Sequence, residues 1–179
     1  MTREEFEQLL NIEVDYIPIG RHNRPGTKIS ADYITVHNTD NSDLGADAHA
    51  HAKFLNTTGY YTHNGKTIWV SWHYSVDDKR IVNHLPLNEL GYHAVSGNSK
   101  SLALEICMNK GIDQTAANLR AARLIAALLY DRKPKASQIV PHYHWTGKDC
   151  PSLLLNNGKP GAKWQDFLNL VQQEFSRID

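Results

Sequence analysis

The alternation of apolar, β-branched runs with helical stretches is the feature that most constrains how this chain can fold. Residues 33–37 and 102–108 are rich in strand-forming side chains, whereas residues 115–132 form a long alanine-rich stretch suited to close packing against a sheet. Thr2 and Glu5 fit a capping box that starts an amphipathic N-terminal helix. Strands that alternate with helices predict an α/β fold built on a mixed sheet.

The length of the chain indicates one domain. A chain of 179 residues can bury a substantial core, and we expect residues 1–179 to form a single domain. Within it, residues 1–30 are expected to be an N-terminal helix and loop extension, and residues 31–176 the core. We expect the protein to be a monomer.

Several local patterns lead to more detailed expectations. Residues 11–30 and 59–66 carry glycine and polar side chains and are predicted as loops. Residues 69–76 alternate between apolar and polar side chains, which predicts a strand. His49 and His51 lie two residues apart on a predicted helix, so they do not share a face, and both are expected at the surface.

Charge and hydropathy exclude several classes of protein. Lysine plus arginine and aspartate plus glutamate number 19 each, so the chain lacks the positive charge that drives nucleic-acid binding, and no nucleic-acid partner is expected. No run of about 18 apolar residues predicts a membrane span. The first ten residues lack a basic start followed by an apolar stretch, so we expect no secretory signal and synthesis in the cytoplasm.

A segment near the C-terminus combines histidine and cysteine on one predicted loop. His142 precedes Cys150 by eight residues, and His144 lies between them. Zinc accepts imidazole nitrogen and thiolate sulfur together, and catalytic zinc sites use three protein ligands. His37, which ends a predicted strand, could complete such a set with Cys150 and either of the two histidines. Spacing does not choose between those histidines, and a histidine-rich loop with an inert buried cysteine is an equally good interpretation.

Glu105 lies within an otherwise apolar predicted strand. Alternation places it on the face of Ala103 and Cys107, opposite the larger apolar side chains. A carboxylate on such a strand needs a partner or a function, because burying a charge is costly. Burial would raise its pKa and suit it to proton transfer near neutral pH. The alternative is a solvated second face, which the apolar run disfavours.

Several motifs, taken in order, resemble those of the type 2 N-acetylmuramoyl-L-alanine amidases, a family that includes phage lysins and peptidoglycan recognition proteins. The matching segments are ITVHNT, WHYSVDDKRIVNH, YHAVSGNSKSLALEIC and HYHWTGKDCP. The last is the most specific, because in the family a zinc-ligand histidine precedes a zinc-ligand cysteine by eight residues, with a lysine two before the cysteine. His142, Lys148 and Cys150 fit this pattern, and His144 does not.

The resemblance implies a fold, a cofactor and a site. The fold is a mixed central sheet with helices on both faces and a zinc cleft along one edge. His37, His142 and Cys150 carry over as ligands of one Zn²⁺ per chain. Glu105 corresponds to a proton-transfer residue, and Lys148 to a residue that stabilises the oxyanion.

The resemblance also implies substrate-binding positions and one departure. His93 and Asn98 correspond to residues that line the substrate groove. Trp72 stands where many relatives have a tyrosine that assists catalysis; it could pack under the site or shape the sugar-binding groove.

The function implied is zinc-dependent hydrolysis of the amide between the lactyl group of N-acetylmuramic acid and L-alanine in peptidoglycan. Such an enzyme lyses cell walls as a phage or prophage endolysin or as an autolysin, and would act at the bacterial wall after release from the cytoplasm. Two alternatives stay open: a non-catalytic peptidoglycan-binding module of the same fold, and a cysteine hydrolase using Cys150 or Cys107 with a histidine.

Overall fold

A computed structural model of the chain describes residues 1–132 and 138–179. Its strands are β1 (Ile12–Val14), β2 (Tyr33–Asn38), β3 (Tyr60–His63), β4 (Lys66–Trp69), β5 (Tyr74–Val76), β6 (Ile81–Asn83), β7 (Ser101–Ile106) and β8 (Ile139–Pro141). Its α-helices are α1 (Arg3–Leu10), α2 (Ala48–Thr57), α3 (Gln114–Arg132), α4 (Tyr143–Thr146) and α5 (Ala162–Phe175).

Six of the strands form one central sheet in the order β1-β6-β5-β7-β2-β8. β5 and β6 are antiparallel, and the other neighbouring pairs are parallel. The sheet is therefore mixed. β7, β2 and β8 lie side by side at one end of it and run in the same direction, so their carboxyl ends share an edge.

Helices cover both faces of this sheet. Leu102, Leu104 and Ile106 of β7 belong to the main core, which also contains buried residues of α1, α3 and α5. Ala103 and Cys107, on the alternate face, belong to two smaller clusters that contain buried residues of α2. This arrangement confirms the predicted α/β fold, and it places Cys107 in the core.

The N-terminal segment is part of the folded structure. Thr2 and Glu5 form the predicted capping box, and α1 buries Phe6 and Leu10 in the main core. The prediction of a loop over residues 11–30 is wrong at its start, where β1 pairs with β6. A strand of three residues is too short for its alternation to be read in sequence.

The prediction of a polar loop over residues 59–66 is also wrong. β3 and β4 form a separate antiparallel hairpin, here called the cleft hairpin, joined by Asn64 and Gly65. Both residues have positive φ, at 49° and 71°, as a type I′ turn requires. The prediction of one continuous strand over residues 69–76 is wrong as well. β4 ends at Trp69 and β5 begins at Tyr74, so residues 70–73 separate two different strands.

His51 is buried, in contrast to the prediction that both helical histidines lie at the surface. It shares the buried face of α2 with Ala48, Ala52 and Leu55, and its Nδ1 lies 2.8 Å from the Asp47 carbonyl oxygen. Spacings of three and four residues place these side chains together. His49, one position away, is exposed as predicted.

Within the described part of the chain, none of the helices combines the length and the apolar character that crossing a bilayer requires.

Candidate metal centre and active-site cleft

Three adjacent parallel strands bring the predicted site residues to one edge of the sheet. In the register of β2 with β7, His37 lies beside Glu105 near the end of each strand. On the other side of β2, Pro141 of β8 lies beside Val36, and His142 follows directly. The His142 backbone N–H donates to the Val36 carbonyl at 3.1 Å. Side chains far apart in sequence thus converge at the carboxyl edge, where open α/β sheets place their ligands.

Cys150 reaches the same edge from the loop after β8. The short helix α4 turns the chain back, and the Tyr143 N–H donates to the Cys150 carbonyl at 3.0 Å. The Cys150 Sγ lies 3.7 Å from Nδ1 of His37. The ring centroids of His37 and His142 are 4.7 Å apart. One nitrogen of each histidine and the sulfur all lie within 4.8 Å of one another.

The structure distinguishes between the two histidines that spacing left open. His142 lies in the cluster with His37 and Cys150. His144 is exposed and stacks against Tyr33 with ring centroids 6.0 Å apart, outside the cluster. Within residues 1–132 and 138–179, no other group of three histidine, cysteine or acidic side chains comes together as closely.

Burial sets the protonation states of the clustered side chains. It lowers the pKa of His37 well below its ordinary value. Burial, with the Lys148 ammonium acting in the same direction, lowers the pKa of His142 to about 4. Burial raises the pKa of the Cys150 thiol to about 12. Both imidazoles are therefore neutral near pH 7, and a cation in the cluster is what would favour the thiolate.

Glu105 faces this cluster from β7. Its Oε1 lies 3.7 Å from Nδ1 of His37, a contact that is not an ion pair because His37 is neutral. Burial raises the pKa of Glu105 to about 8, against the opposing effect of the Lys148 ammonium. Its Oε2 is buried and has no hydrogen-bond partner among the described residues. A carboxyl group with so perturbed a pKa beside a cleft is a candidate for proton transfer.

The donor set fits zinc. Two neutral imidazole nitrogens and one cysteine sulfur are a three-ligand set of the kind that holds catalytic zinc, with a fourth position left for water or substrate. The positive charge of a bound zinc ion would stabilise the buried Cys150 as a thiolate and Glu105 as a carboxylate.

The cluster lies in a cleft of about 720 Å³ that all eight predicted site residues line. Trp72 packs under it: the side chain is buried, belongs to a cluster with Leu55 and Ala103, and donates from Nε1 to the Ser75 Oγ at 2.8 Å. This favours the first of the two roles that the sequence left open for Trp72. Its contribution to substrate binding stays a prediction.

The remaining predicted residues lie around the cluster. The His93 Nδ1 is 3.1 Å from Nε2 of His37. The Asn98 Oδ1 accepts the backbone N–H groups of His93 and Ala94, at 2.9 Å and 2.7 Å. Lys148 is exposed, and its ammonium lowers the pKa of both cluster histidines, which places it at the rim of the site.

Part of the cleft wall was missed in the sequence. Tyr61 and Ile68 of the cleft hairpin line the cleft and are 52% and 36% exposed. The Asn64-Gly65 pair, a strong hairpin signal between two strands, could have revealed them. Val95 also lines the cleft, with 79% of its surface exposed and a φ of 51°, which is unfavourable for a β-branched residue. No sequence pattern predicts that conformation.

The fold and the cluster together define an α/β domain with a candidate metal centre of two histidines and one cysteine. The sequence profile of the Amidase_2 family, described as N-acetylmuramoyl-L-alanine amidase, matches residues 25–153. This match covers most of the chain, and the chain belongs to that family.

Individual relatives agree with this assignment. The chain is 44% identical over 163 residues to N-acetylmuramoyl-L-alanine amidase XlyA of Bacillus subtilis (strain 168), covering 89% of this chain and 50% of that protein. It is 40% identical over 166 residues to N-acetylmuramoyl-L-alanine amidase CwlH of the same strain, covering 90% and 61%. The chain therefore spans between half and two thirds of the length of these two relatives.

A solved structure shows the same likeness in three dimensions. The structure of the catalytic domain of XlyA superposes with a TM-score of 0.78 at 42% sequence identity, covering 90% of this chain and 99% of that one. The chain thus corresponds in extent to the catalytic domain of that relative.

Proposed function

We propose that this domain is a zinc-dependent N-acetylmuramoyl-L-alanine amidase, which hydrolyses the amide between the lactyl group of N-acetylmuramic acid and L-alanine in peptidoglycan. The observation that carries the proposal is the convergence of His37, His142 and Cys150 within 4.8 Å, beside Glu105. Membership of the amidase family supports the choice of bond.

In this proposal, His37, His142 and Cys150 hold one zinc ion per chain. When bound, zinc supplies a Lewis acid that polarises a carbonyl oxygen and makes a water molecule a better nucleophile near neutral pH. The two histidines bind in the neutral form that burial already favours. Cys150 binds as a thiolate, so loading releases a proton from its thiol.

Glu105 is the proposed proton-transfer residue. Positive charge in the neighbouring cluster lowers its pKa from the value of about 8 that burial gives it, so that it is available as a carboxylate. Glu105 then takes a proton from the attacking water and passes it to the leaving nitrogen of L-alanine. A positioned acid–base group of this kind contributes about 10²–10⁴-fold in rate.

Lys148 is the proposed partner for developing negative charge. It lies at the rim of the cluster, where its ammonium already acts on the pKa values of His142 and Glu105. In the transition state, the ammonium stabilises the oxyanion that forms from the scissile carbonyl. One such donor is worth about 3–4 kcal/mol in other enzymes.

The two alternative functions have less support. A module that only binds peptidoglycan has no need of a complete ligand set next to a buried carboxyl group, and this chain has both. A cysteine hydrolase needs a thiolate, but burial raises the pKa of Cys150 to about 12 and raises that of Cys107 further.

We also propose where the activity is used. The substrate is wall peptidoglycan, and the protein lyses cell walls, as a lysin or an autolysin, once it has been released from the cytoplasm. The cleft suits a muramyl peptide, because the apolar side chains of Tyr61, Ile68 and Val95 line it together with the polar cluster.

Digestion of purified bacterial cell walls tests the proposal. We expect new amino groups, identified as N-terminal L-alanine, and no new reducing sugars. We expect a chelator to stop the reaction and added zinc to restore it. Release of reducing sugars instead, or full activity after zinc has been removed completely, would contradict the proposal.

A further inference from the structure

His93 contacts the candidate ligand His37 on the side away from the cluster. The His93 Nδ1 lies 3.1 Å from Nε2 of His37, and the two ring planes meet at 83°. The other ring nitrogen of His37, Nδ1, lies 3.7 Å from the Cys150 Sγ. The two nitrogens of His37 therefore have separate neighbours, one in the candidate metal cluster and one in His93.

This arrangement determines where the protons must be. If His37 binds a metal through Nδ1, the neutral ring carries its proton on Nε2. His37 is only 2% exposed, so this N–H needs an acceptor within the protein. The Nδ1 of His93 can accept it only if the proton of His93 is on its own Nε2.

The surroundings of His93 are compatible with that tautomer. Its Nε2 is buried and no described residue donates a hydrogen bond to it, so nothing among the described residues requires that nitrogen to keep a lone pair. Burial lowers the pKa of His93 well below its ordinary value, so the ring is neutral and carries one proton. With that proton on Nε2, the lone pair of Nδ1 points toward His37 at 3.1 Å.

We propose that His93 is a positioning residue: its Nδ1 accepts the Nε2–H of His37 and holds the Nδ1 lone pair of His37 toward the metal. The inference rests on the proposed zinc site and assigns to this residue a task other than lining the substrate groove. Metal-bound histidines usually donate their second N–H to a carboxylate, a carbonyl or water. Here a second imidazole takes that place.

Contacts with neighbouring segments hold the loop that carries His93. The Asn98 Oδ1 accepts the backbone N–H groups of His93 and Ala94. Gly97 lies so close to Trp145 that an added Cβ would come within 2.8 Å of the indole ring. The Trp145 Nε1 donates to the Thr35 Oγ1 at 2.8 Å. The loop is thereby tied to β2 and to α4, the segments next to the proposed ligands.

Zinc dissociation constants of the whole chain, measured by competition with a chromophoric chelator, test the proposal. His93→Leu removes the acceptor, and we expect zinc to bind about 10–100-fold more weakly. His93→Asn keeps an acceptor oxygen near the place of Nδ1, and we expect its affinity to stay within about threefold of wild type. His84→Leu is the matched control, because His84 is a buried histidine that bonds to Ser75 and not to the cluster.

Two outcomes would overturn the role of His93 alone. One is a wild type that binds zinc while His93→Leu binds it equally well. The other is an equal loss in His93→Leu and His93→Asn, which would point to packing and not to the acceptor. A wild type that binds no zinc would overturn both this inference and the proposed function.

A measurement on the unmodified protein covers the case in which the variants do not fold. Two-bond ¹H–¹⁵N couplings in the zinc-loaded wild type report which ring nitrogen carries each proton. We expect the protons of both His37 and His93 on Nε2. A proton on Nδ1 of His93 would overturn the proposal.

Discussion

The strand-end cluster and the cleft hairpin line the same cleft but are built in different ways. His37 and Glu105 project from neighbouring strands of a six-stranded sheet, so their spacing follows from strand register. The two strands of the hairpin pair only with each other, and every residue of β3 is exposed. Long-range strand pairing therefore positions the residues of the candidate metal centre, whereas the hairpin beside them forms by local pairing.

An aromatic contact joins the hairpin to the N-terminal part of the domain, because the Trp69 ring stacks against His22 with ring centroids 4.8 Å apart. Within the hairpin, Trp69 meets Tyr60 edge-on at 5.0 Å. Substitutions of exposed side chains on the hairpin should therefore change substrate binding without moving the residues of the cluster.

The largest effect is expected for Cys150→Ser. A serine hydroxyl is a poor zinc ligand beside two imidazoles, and we expect zinc affinity to fall by more than about 100-fold and wall digestion to fall to background. Zinc analysis and amino-group release measure the two effects. Cys107→Ser is the control, because Cys107 lies in the core outside the cluster; equal loss in both variants would argue against a specific ligand role.

Glu105→Gln separates catalysis from metal binding within the cluster. The amide cannot exchange the proton, so we expect kcat to fall by about 10²–10⁴-fold while one zinc per chain stays bound. Steady-state digestion with parallel zinc analysis measures both. Turnover close to wild type in the zinc-loaded variant would move the proton-transfer role to another group.

Tyr61→Ala tests the role of the cleft hairpin in substrate binding. The side chain is 52% exposed and lines the cleft, so its loss should remove contact with bound substrate and raise KM by about fivefold, with kcat and zinc affinity nearly unchanged. Tyr16→Ala is the matched control, since Tyr16 is 41% exposed and does not line the cleft. A fall in kcat with KM unchanged would mean that the hairpin and the cluster are not separable.

A separate effect, on stability and not on catalysis, concerns the pH dependence of unfolding at His84. Burial lowers the pKa of His84 to about 3, while the unfolded chain has an ordinary histidine that protonates near pH 6.5. Between these values the unfolded state binds the extra proton, so His84 costs no stability above pH 6.5 and an increasing amount as the pH falls toward 3.

His84→Gln removes this proton uptake and keeps a group near the Ser75 hydroxyl. With zinc removed by chelator, we expect the fall in the free energy of unfolding between pH 7.5 and pH 5 to be smaller by roughly 1–2 kcal/mol than in wild type. Urea unfolding at the two pH values measures it. Equal falls in both proteins would show that His84 is not buried as a neutral ring.

The sequence predicted the parts of the fold whose patterns are long. The capping box at Thr2, the apolar strand around Glu105 and the alanine-rich stretch that became α3 are all confirmed. β1 was missed because three residues show no usable period, and β3 because every one of its residues is exposed, which leaves no alternation.

Part of the candidate site could be predicted from the spacing of its residues and from the family resemblance. Spacing indicated a possible metal loop but did not separate His142 from His144, and only strand pairing shows why His142 lies next to His37. The resemblance to the amidases favoured His142 over His144, and the geometry of the cluster agrees with it. The contact between His37 and His93 could not be predicted, because it depends on a loop held by Asn98 and Trp145.

X-ray absorption at the zinc edge of the loaded chain would identify the atoms that hold the metal. If His37, His142 and Cys150 hold the metal, the spectrum should fit one sulfur at about 2.3 Å and two imidazole nitrogens at about 2.0–2.1 Å, with one zinc per chain. A first shell without sulfur, or one that is unchanged in Cys150→Ser, would contradict it.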